Sequence, residues 1–166
     1  MNLAGYDRES IVNGDGMRAT LYFSGCVHHC KGCFNAPAWN FQYGEPFTRE
    51  RQLEIIAEIA DNPLLDGVTL CGGDPFCSAR EVADFVCLLK ERLPDMHIWA
   101  YTGYTYEEVL ADPDQLALLQ LCDTLVDGRF VLEEKDLTLR FRGSRNQRII
   151  DVRKSLASGA VHIIET

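Results

Sequence analysis

Apolar residues recur along this chain in two alternating rhythms. Short runs rich in β-formers, ATLYFS at 19–24, GVTLC at 67–71, HIWAYT at 97–102 and TLVDG at 124–128, read as buried strands. Between them, apolar residues return at helical spacing: Leu53, Ile56, Ile59 and Ala60, then Val82, Phe85, Val86, Leu89 and Leu93. Start signals sit where such helices need them. Thr48 is a plausible N-cap, Ser78 with Glu81 and Thr105 with Glu108 have capping-box spacing, and Asp112-Pro113 suits the cap and first position of another helix. Pro63 and Pro94 mark exits. The pattern of strand, loop and helix predicts an α/β fold with parallel strands and helical crossovers.

In such folds, function gathers at the C-terminal ends of the strands. The suggestive residues fall there: a cysteine-rich loop after the first strand, Gly72-Gly73-Asp74-Pro75 after the second, Thr102-Gly103-Tyr104 after the third and Asp127-Gly128-Arg129 after the fourth.

The totals narrow the classes. With 166 residues the chain predicts one domain, 1–166, with a substantial core. A formal net charge of −9, from 16 basic and 25 acidic residues, disfavours a general nucleic-acid binder. No apolar secretory segment and no run of membrane-spanning length is visible, so a soluble, cytoplasmic protein with no membrane partner is expected. Seven cysteines in a chain of this size are then metal ligands, reactive groups or small core residues.

GCVHHCKGCFN, residues 25–35, holds Cys26, Cys30 and Cys33 in one loop with the spacing C-x3-C-x2-C. Three buried apolar cysteines would be an odd use of a loop containing glycine and histidine. A structural zinc site wants four protein ligands, and His28 or His29 could complete one. A [4Fe–4S] cluster fits the deficit better, because three thiolates leave one iron open to a small chelating molecule.

That spacing resembles the signature of the radical S-adenosylmethionine superfamily. The resemblance implies an incomplete, TIM-like β/α barrel. It implies a cluster held by Cys26, Cys30 and Cys33, with the methionine part of S-adenosylmethionine on the open iron. Many members carry an aromatic before the third cysteine; here Gly32 stands there and Phe34 follows, so Gly32, Cys33 and Phe34 are the expected neighbours of the cofactor. Gly72, Gly73 and Asp74 resemble the turn that receives the methionine ammonium group. A glycine lets backbone approach a ligand closely.

IVNGDGMRATLYFSGCVHHCKGCFN at 11–35 further resembles the activases of glycyl-radical enzymes. Together with WAYTGY at 99–104, LVDGRF at 125–130 and RGSRNQ at 142–147, it is similar to the subgroup serving the anaerobic ribonucleoside-triphosphate reductase. The resemblance implies a protein substrate, a glycine of the reductase's large subunit, and a low-potential electron donor such as flavodoxin. The rival readings are a pyruvate formate-lyase-type activase, a small-molecule radical enzyme and a non-catalytic zinc module.

Other residues carry weaker expectations. Arg140, Arg142, Arg145 and Arg148 read as a solvated basic loop, or as a contact with an acidic partner or the cofactor carboxylate. Asp127 is a candidate for the cofactor ribose or adenine, and Tyr104 for a wall of the same site. Cys71 and Cys77 flank the Gly-Gly-Asp turn and are a possible redox pair or spare ligand. Cys87 and Cys122 are expected in or near the core. Residues 153–166 carry no predicted role.

Overall fold

A computed structural model describes all 166 residues. It holds one seven-stranded sheet: β1 (Asn2–Ser10), β2 (Arg18–Phe23), β3 (Glu45–Pro46), β4 (Gly67–Gly72), β5 (His97–Tyr101), β6 (Thr124–Asp127) and β7 (Arg148–Asp151). The spatial order is β3-β1-β2-β4-β5-β6-β7. The helices are α1 (Arg49–Asp61), α2 (Ala79–Arg92), α3 (Tyr106–Ala111), α4 (Pro113–Leu119) and α5 (Val152–Ser158).

The four strands expected from the sequence form the parallel centre, β2-β4-β5-β6. The sheet as a whole is mixed. β1 pairs antiparallel with β2 and β3, and β7 pairs antiparallel with β6. The segment 153–166 is integrated too: after α5 the chain returns along β7, with Asp151 N bonded to His162 O at 2.9 Å and Ile164 N to Ile149 O at 2.8 Å.

Strand alternation gives the two faces different chemistry. One face carries Ala19, Leu21, Val68, Leu70, Ile98, Ala100, Leu125 and Ile150, all buried. The helices cover it with Ile55, Ile56 and Ile59 from α1, Val82, Phe85, Val86 and Leu89 from α2, and Val109 and Leu118 from α3 and α4. Each such buried aliphatic or aromatic side chain stabilises the fold by about 1.5–3 kcal/mol. The opposite face carries Thr69, Cys71, Trp99 and Tyr101, with Phe141 packed against Trp99 at 5.4 Å between ring centroids.

Thr48 caps α1 by accepting from Arg51 N, and Thr105 with Glu108 completes its capping box on α3. Asp112 caps α4 through two backbone donors. The capping box expected at Ser78 and Glu81 does not form. Ser78 makes no cap bond, and Glu81 instead pairs with the N-terminal ammonium at 2.7 Å. Leu53 and Cys87 also depart from expectation: both are exposed, because Ile55 rather than Leu53 faces the sheet and α2 turns Val86 inward instead of Cys87. No helix is long and apolar enough to cross a membrane.

Candidate cluster and cofactor site

The C-terminal ends of β2 and β4 converge. Gly73 N bonds to Phe23 O at 2.7 Å and Asp74 N to Gly25 O at 2.8 Å, which stitches the Gly-Gly-Asp turn to the stem of the cysteine loop. The loop is held from its far side by Gly25 N to Ala38 O at 2.7 Å and Cys26 N to Trp39 O at 3.2 Å. Gly72 has φ of 115°, and a Cβ there would stand 2.3 Å from Phe23 N. A Cβ on Gly73 would meet the carbonyls of Gly25 and Ala38 at 2.5 Å. Both glycines are therefore needed so that the chain can approach itself, before any ligand is considered.

A cavity of about 540 Å³ opens over the polar face at these strand ends. Cys26, Cys30, Cys33, Gly32 and Phe34 line it from the cysteine loop, and Gly72, Gly73 and Asp74 from the turn opposite. The three cysteines, their neighbours Gly32 and Phe34 and the Gly-Gly-Asp turn thus border one space, of a size that suits a small ligand. Phe34 stands at its mouth, 86% exposed. Cys71 and Tyr101 form part of the floor, and Phe141 and Arg142 close one side.

All seven cysteines are free thiols. Hydrogen bonding with Cys77 and the His28 N–H outweighs burial at Cys26 and pulls its pKa down to about 6. A thiol that ionises so readily suits metal ligation. Burial pushes Cys30 up, and it pushes Cys71 up to about 12, so Cys71 stays protonated and inert. Three thiols from one loop, sharing a cavity wall with no fourth cysteine of that loop, are a donor set that fits an iron–sulfur cluster with an open iron.

The Asp74 carboxylate is held by its own chain. It is only 2% exposed. Oδ2 accepts from His28 Nε2 at 2.8 Å, Thr102 Oγ1 at 3.0 Å and Gly103 N at 2.8 Å, and Oδ1 accepts from Phe76 N at 2.8 Å. The carboxylate is committed to its own chain. Gly73 O, by contrast, takes no donor from backbone or side chain. The free acceptor of the turn is this backbone carbonyl.

His28 was legible only as a possible zinc ligand. Its side chain is 2% exposed, its Nε2 is bound to Asp74 and its Nδ1 has no partner in the chain. Burial acts to lower its pKa, but the hydrogen bond and charge of Asp74 prevail and raise it. His29 lies outside the cavity wall and stacks on Trp39 at 4.7 Å.

A family profile described as the 4Fe-4S single cluster domain matches residues 12–150. The chain is 44% identical over 152 residues to an anaerobic ribonucleoside-triphosphate reductase-activating protein of Vibrio cholerae, covering 90% of this chain and 97% of that one. The Escherichia coli K12 protein of the same name is 38% identical over 156 residues, covering 92% and 100%. The phage T4 protein of that name is 36% identical over 151 residues, covering 87% and 92%. The chain belongs to the anaerobic ribonucleoside-triphosphate reductase-activating proteins. It is an activating protein built on a 4Fe-4S domain.

The remaining candidates separate on geometry. In this activating protein Asp127 is 1% exposed and serves the fold: it receives Arg148 on both oxygens and Tyr106 N at 2.7 Å, and it does not border the cavity. Arg148 is thereby structural, and Glu107 holds its outer side at 2.8 Å. Arg140 lies over Phe141 and faces Asp15, and Arg145 faces Asp136 at 3.9 Å. Of the four arginines, only Arg142 borders the cavity; its Nη1 donates to Gln147 O, while its Nε is buried without a partner. Tyr104 lies outside the cavity wall, edge-on to His28 at 4.5 Å. Cys122 is buried as expected, its thiol donating to Leu118 O.

Proposed function

We propose that this activating protein binds a [4Fe–4S] cluster through Cys26, Cys30 and Cys33 and S-adenosylmethionine beside it, and abstracts a hydrogen from a glycine of the large subunit of an anaerobic ribonucleoside-triphosphate reductase, leaving a glycyl radical there. The observation that carries this reading is the single cavity shared by three free cysteines of one loop and the Gly72-Gly73-Asp74 turn. When bound, the reduced cluster and the cofactor supply the one-electron cleavage of a sulfonium that yields a hydrogen-abstracting 5′-deoxyadenosyl radical.

The chain's own residues hold and orient. Gly73 O is the acceptor available to the methionine ammonium group. Asp74 fixes that carbonyl by tying the turn to His28 of the cysteine loop and to Gly103 after β5. Arg142 offers an unpartnered N–H toward the cofactor carboxylate. Gly32 and Phe34 border the adenine side, with Phe34 exposed where a protein substrate would arrive. The helices lie on one face of the sheet and the cavity on the other, which supports reading the sheet as an incomplete β/α barrel whose open side admits a peptide loop. A low-potential donor such as flavodoxin would supply the electron.

The test is EPR of the anaerobically reconstituted, reduced protein with and without S-adenosylmethionine. The reading expects a [4Fe–4S]+ signal that changes when the cofactor is added. A signal indifferent to the cofactor, or a protein that retains zinc and assembles no cluster, would overturn it.

A further inference from the structure

The three most exposed large hydrophobic side chains of the molecule all border the same cavity: Leu137 at 88%, Phe34 at 86% and Val12 at 69%. They come from three separate segments, and each segment is held in place. Asp136 Oδ1 accepts from Thr138 N at 2.9 Å and from Thr138 Oγ1 at 2.6 Å, and Asp136 N bonds to Gly143 O at 3.2 Å, which fixes the turn carrying Leu137. Asn13, next to Val12, donates to the Tyr22 hydroxyl at 2.8 Å, and its carbonyl accepts from Thr69 Oγ1 at 2.7 Å. Just before Phe34, Cys33 N bonds to Cys30 O at 3.1 Å.

Apolar side chains left in water singly are ordinary, but several gathered at one opening mark an interaction surface. The charges at this cavity are one-sided as well. Both carboxylates that border it are engaged: Asp74 by its four donors, and Asp136 by Thr138 and Arg145. Lys135 and Arg142 border it too, and neither takes part in any ion pair of the chain. In a chain of net charge −9, the free charge at this cavity is therefore positive. Arg142 is directed to the cofactor carboxylate under the proposed function, which leaves the exposed Lys135 for something that arrives from outside.

We propose that Val12, Phe34 and Leu137 grip the glycine-bearing segment of the reductase, an extended peptide with apolar side chains flanking its glycine and a carboxylate within reach of Lys135. The proposal rests on the reading that hydrogen abstraction takes place in this cavity. A glycine offers no side chain to hold, so its Cα must be placed through its neighbours in sequence. Apolar residues at the mouth, outside the space kept for the cluster and cofactor, can do that. Docking takes their surface out of water, which favours association. Because the backbone under each is already fixed, little further ordering opposes it.

The experiment uses the full chain, reconstituted anaerobically, and the large subunit of the anaerobic reductase from the same organism. Dissociation constants are measured for the parent, Val12→Ser, Leu137→Ser, Lys135→Gln and Leu64→Ser. Leu64 is the control, 64% exposed and away from the cavity. We expect Val12→Ser and Leu137→Ser each to weaken binding about tenfold or more, as the loss of a buried aliphatic contact does. Lys135→Gln should weaken it at low salt and match the parent at high salt, and Leu64→Ser should match the parent throughout. The EPR signal of the cluster and its response to S-adenosylmethionine should be the parent's in every variant, which separates docking from cofactor binding. Parent affinity in both Val12→Ser and Leu137→Ser overturns the proposal, and if they slow reduction by flavodoxin instead, the surface belongs to the electron donor. An equal loss in Leu64→Ser overturns it too, and parent affinity in Lys135→Gln at low salt overturns the carboxylate. A parent whose signal ignores S-adenosylmethionine overturns the proposed function itself, and is told apart because it needs no variant.

Discussion

The carboxylate of Asp74 is the most consequential single group in the site, and its removal has a calculable cost. It is 2% exposed and accepts four hydrogen bonds: from His28, Thr102 and Gly103 on Oδ2 and from Phe76 on Oδ1. In Asp74→Asn one oxygen becomes an NH2 group. If the amide oxygen takes the Oδ2 place, Phe76 N faces a donor; if it takes the other, three donors do. A buried donor left unmade costs about 1–3 kcal/mol. The cheaper orientation therefore loses about 1–3 kcal/mol at Phe76, together with the charge-assisted part of the His28 bond, a further 1 kcal/mol or so. We expect Asp74→Asn to destabilise the cluster-free protein by about 2–4 kcal/mol, and Asp74→Ala by at least as much.

Urea unfolding of the cluster-free protein measures this directly, with a lower midpoint and an unchanged slope. Paired with His28→Gln in a double-mutant cycle, it isolates the bond between cysteine loop and turn. A loss below about 0.5 kcal/mol for Asp74→Asn, the range of an ordinary surface substitution, would refute the argument. If that unmoved stability came with abolished S-adenosylmethionine binding, the carboxylate would be a direct cofactor contact after all, and the Gly73 carbonyl would lose its assigned role.

Three further outcomes follow from the same geometry. Arg148→Ala leaves Asp127 buried with only Tyr106 N for a partner; we expect a loss of about 3–5 kcal/mol in chemical denaturation, and a loss under 1 kcal/mol would show that the pair is screened. Gly72→Ala places a Cβ 2.3 Å from Phe23 N at φ of 115°, so thermal stability and iron loading should both fall; Gly159→Ala, at φ of 73° with nothing within 4 Å, is the control that carries backbone strain alone. His97 is half-buried and takes Arg18 Nη2 at its Nδ1, and burial followed by the Arg18 charge holds its pKa below the ordinary 6.5. The unfolded chain then binds the extra proton, so this contribution is whole above pH 6.5 and is lost as pH falls from there toward the folded value. His97→Gln should flatten the stability profile across that interval, and parallel profiles for parent and variant would refute the assignment.

What the sequence revealed and what it hid divide on physical lines. Local signals were readable: the caps at Thr48, Thr105 and Asp112 need partners only two or three residues away. The central strands announced themselves as short runs rich in β-formers, each buried along most of its length. β1 did not, since it borders the sheet's open edge region with charged residues exposed along NLAGYDRES. β7 was hidden inside the arginine-rich stretch, where Arg148 reads as surface charge but is drawn in by Asp127. At Ser78 the local pattern misled, because Asp74 captures the start of that segment as a 3-10 turn before α2 begins.

The site shows the same division more sharply. Three cysteines within eight residues are visible on any reading, yet the group that organises them is not. Asp74 meets His28, Thr102 and Gly103 from 46, 28 and 29 residues away, distances that only the parallel sheet closes. The parity of β4 and β5 decides which neighbours join in: Leu70 and Ala100 go to the helix-covered core, while Cys71 and Tyr101 go to the cavity. One residue of slip in either strand would exchange the two sets and put a leucine and an alanine under the cluster loop. Stability and chemistry are thus set by the same alternation. The apolar face carries enough burial to hold the sheet, and that leaves the other face free to keep a partnerless histidine nitrogen and an unbonded carbonyl, each of which costs stability on its own.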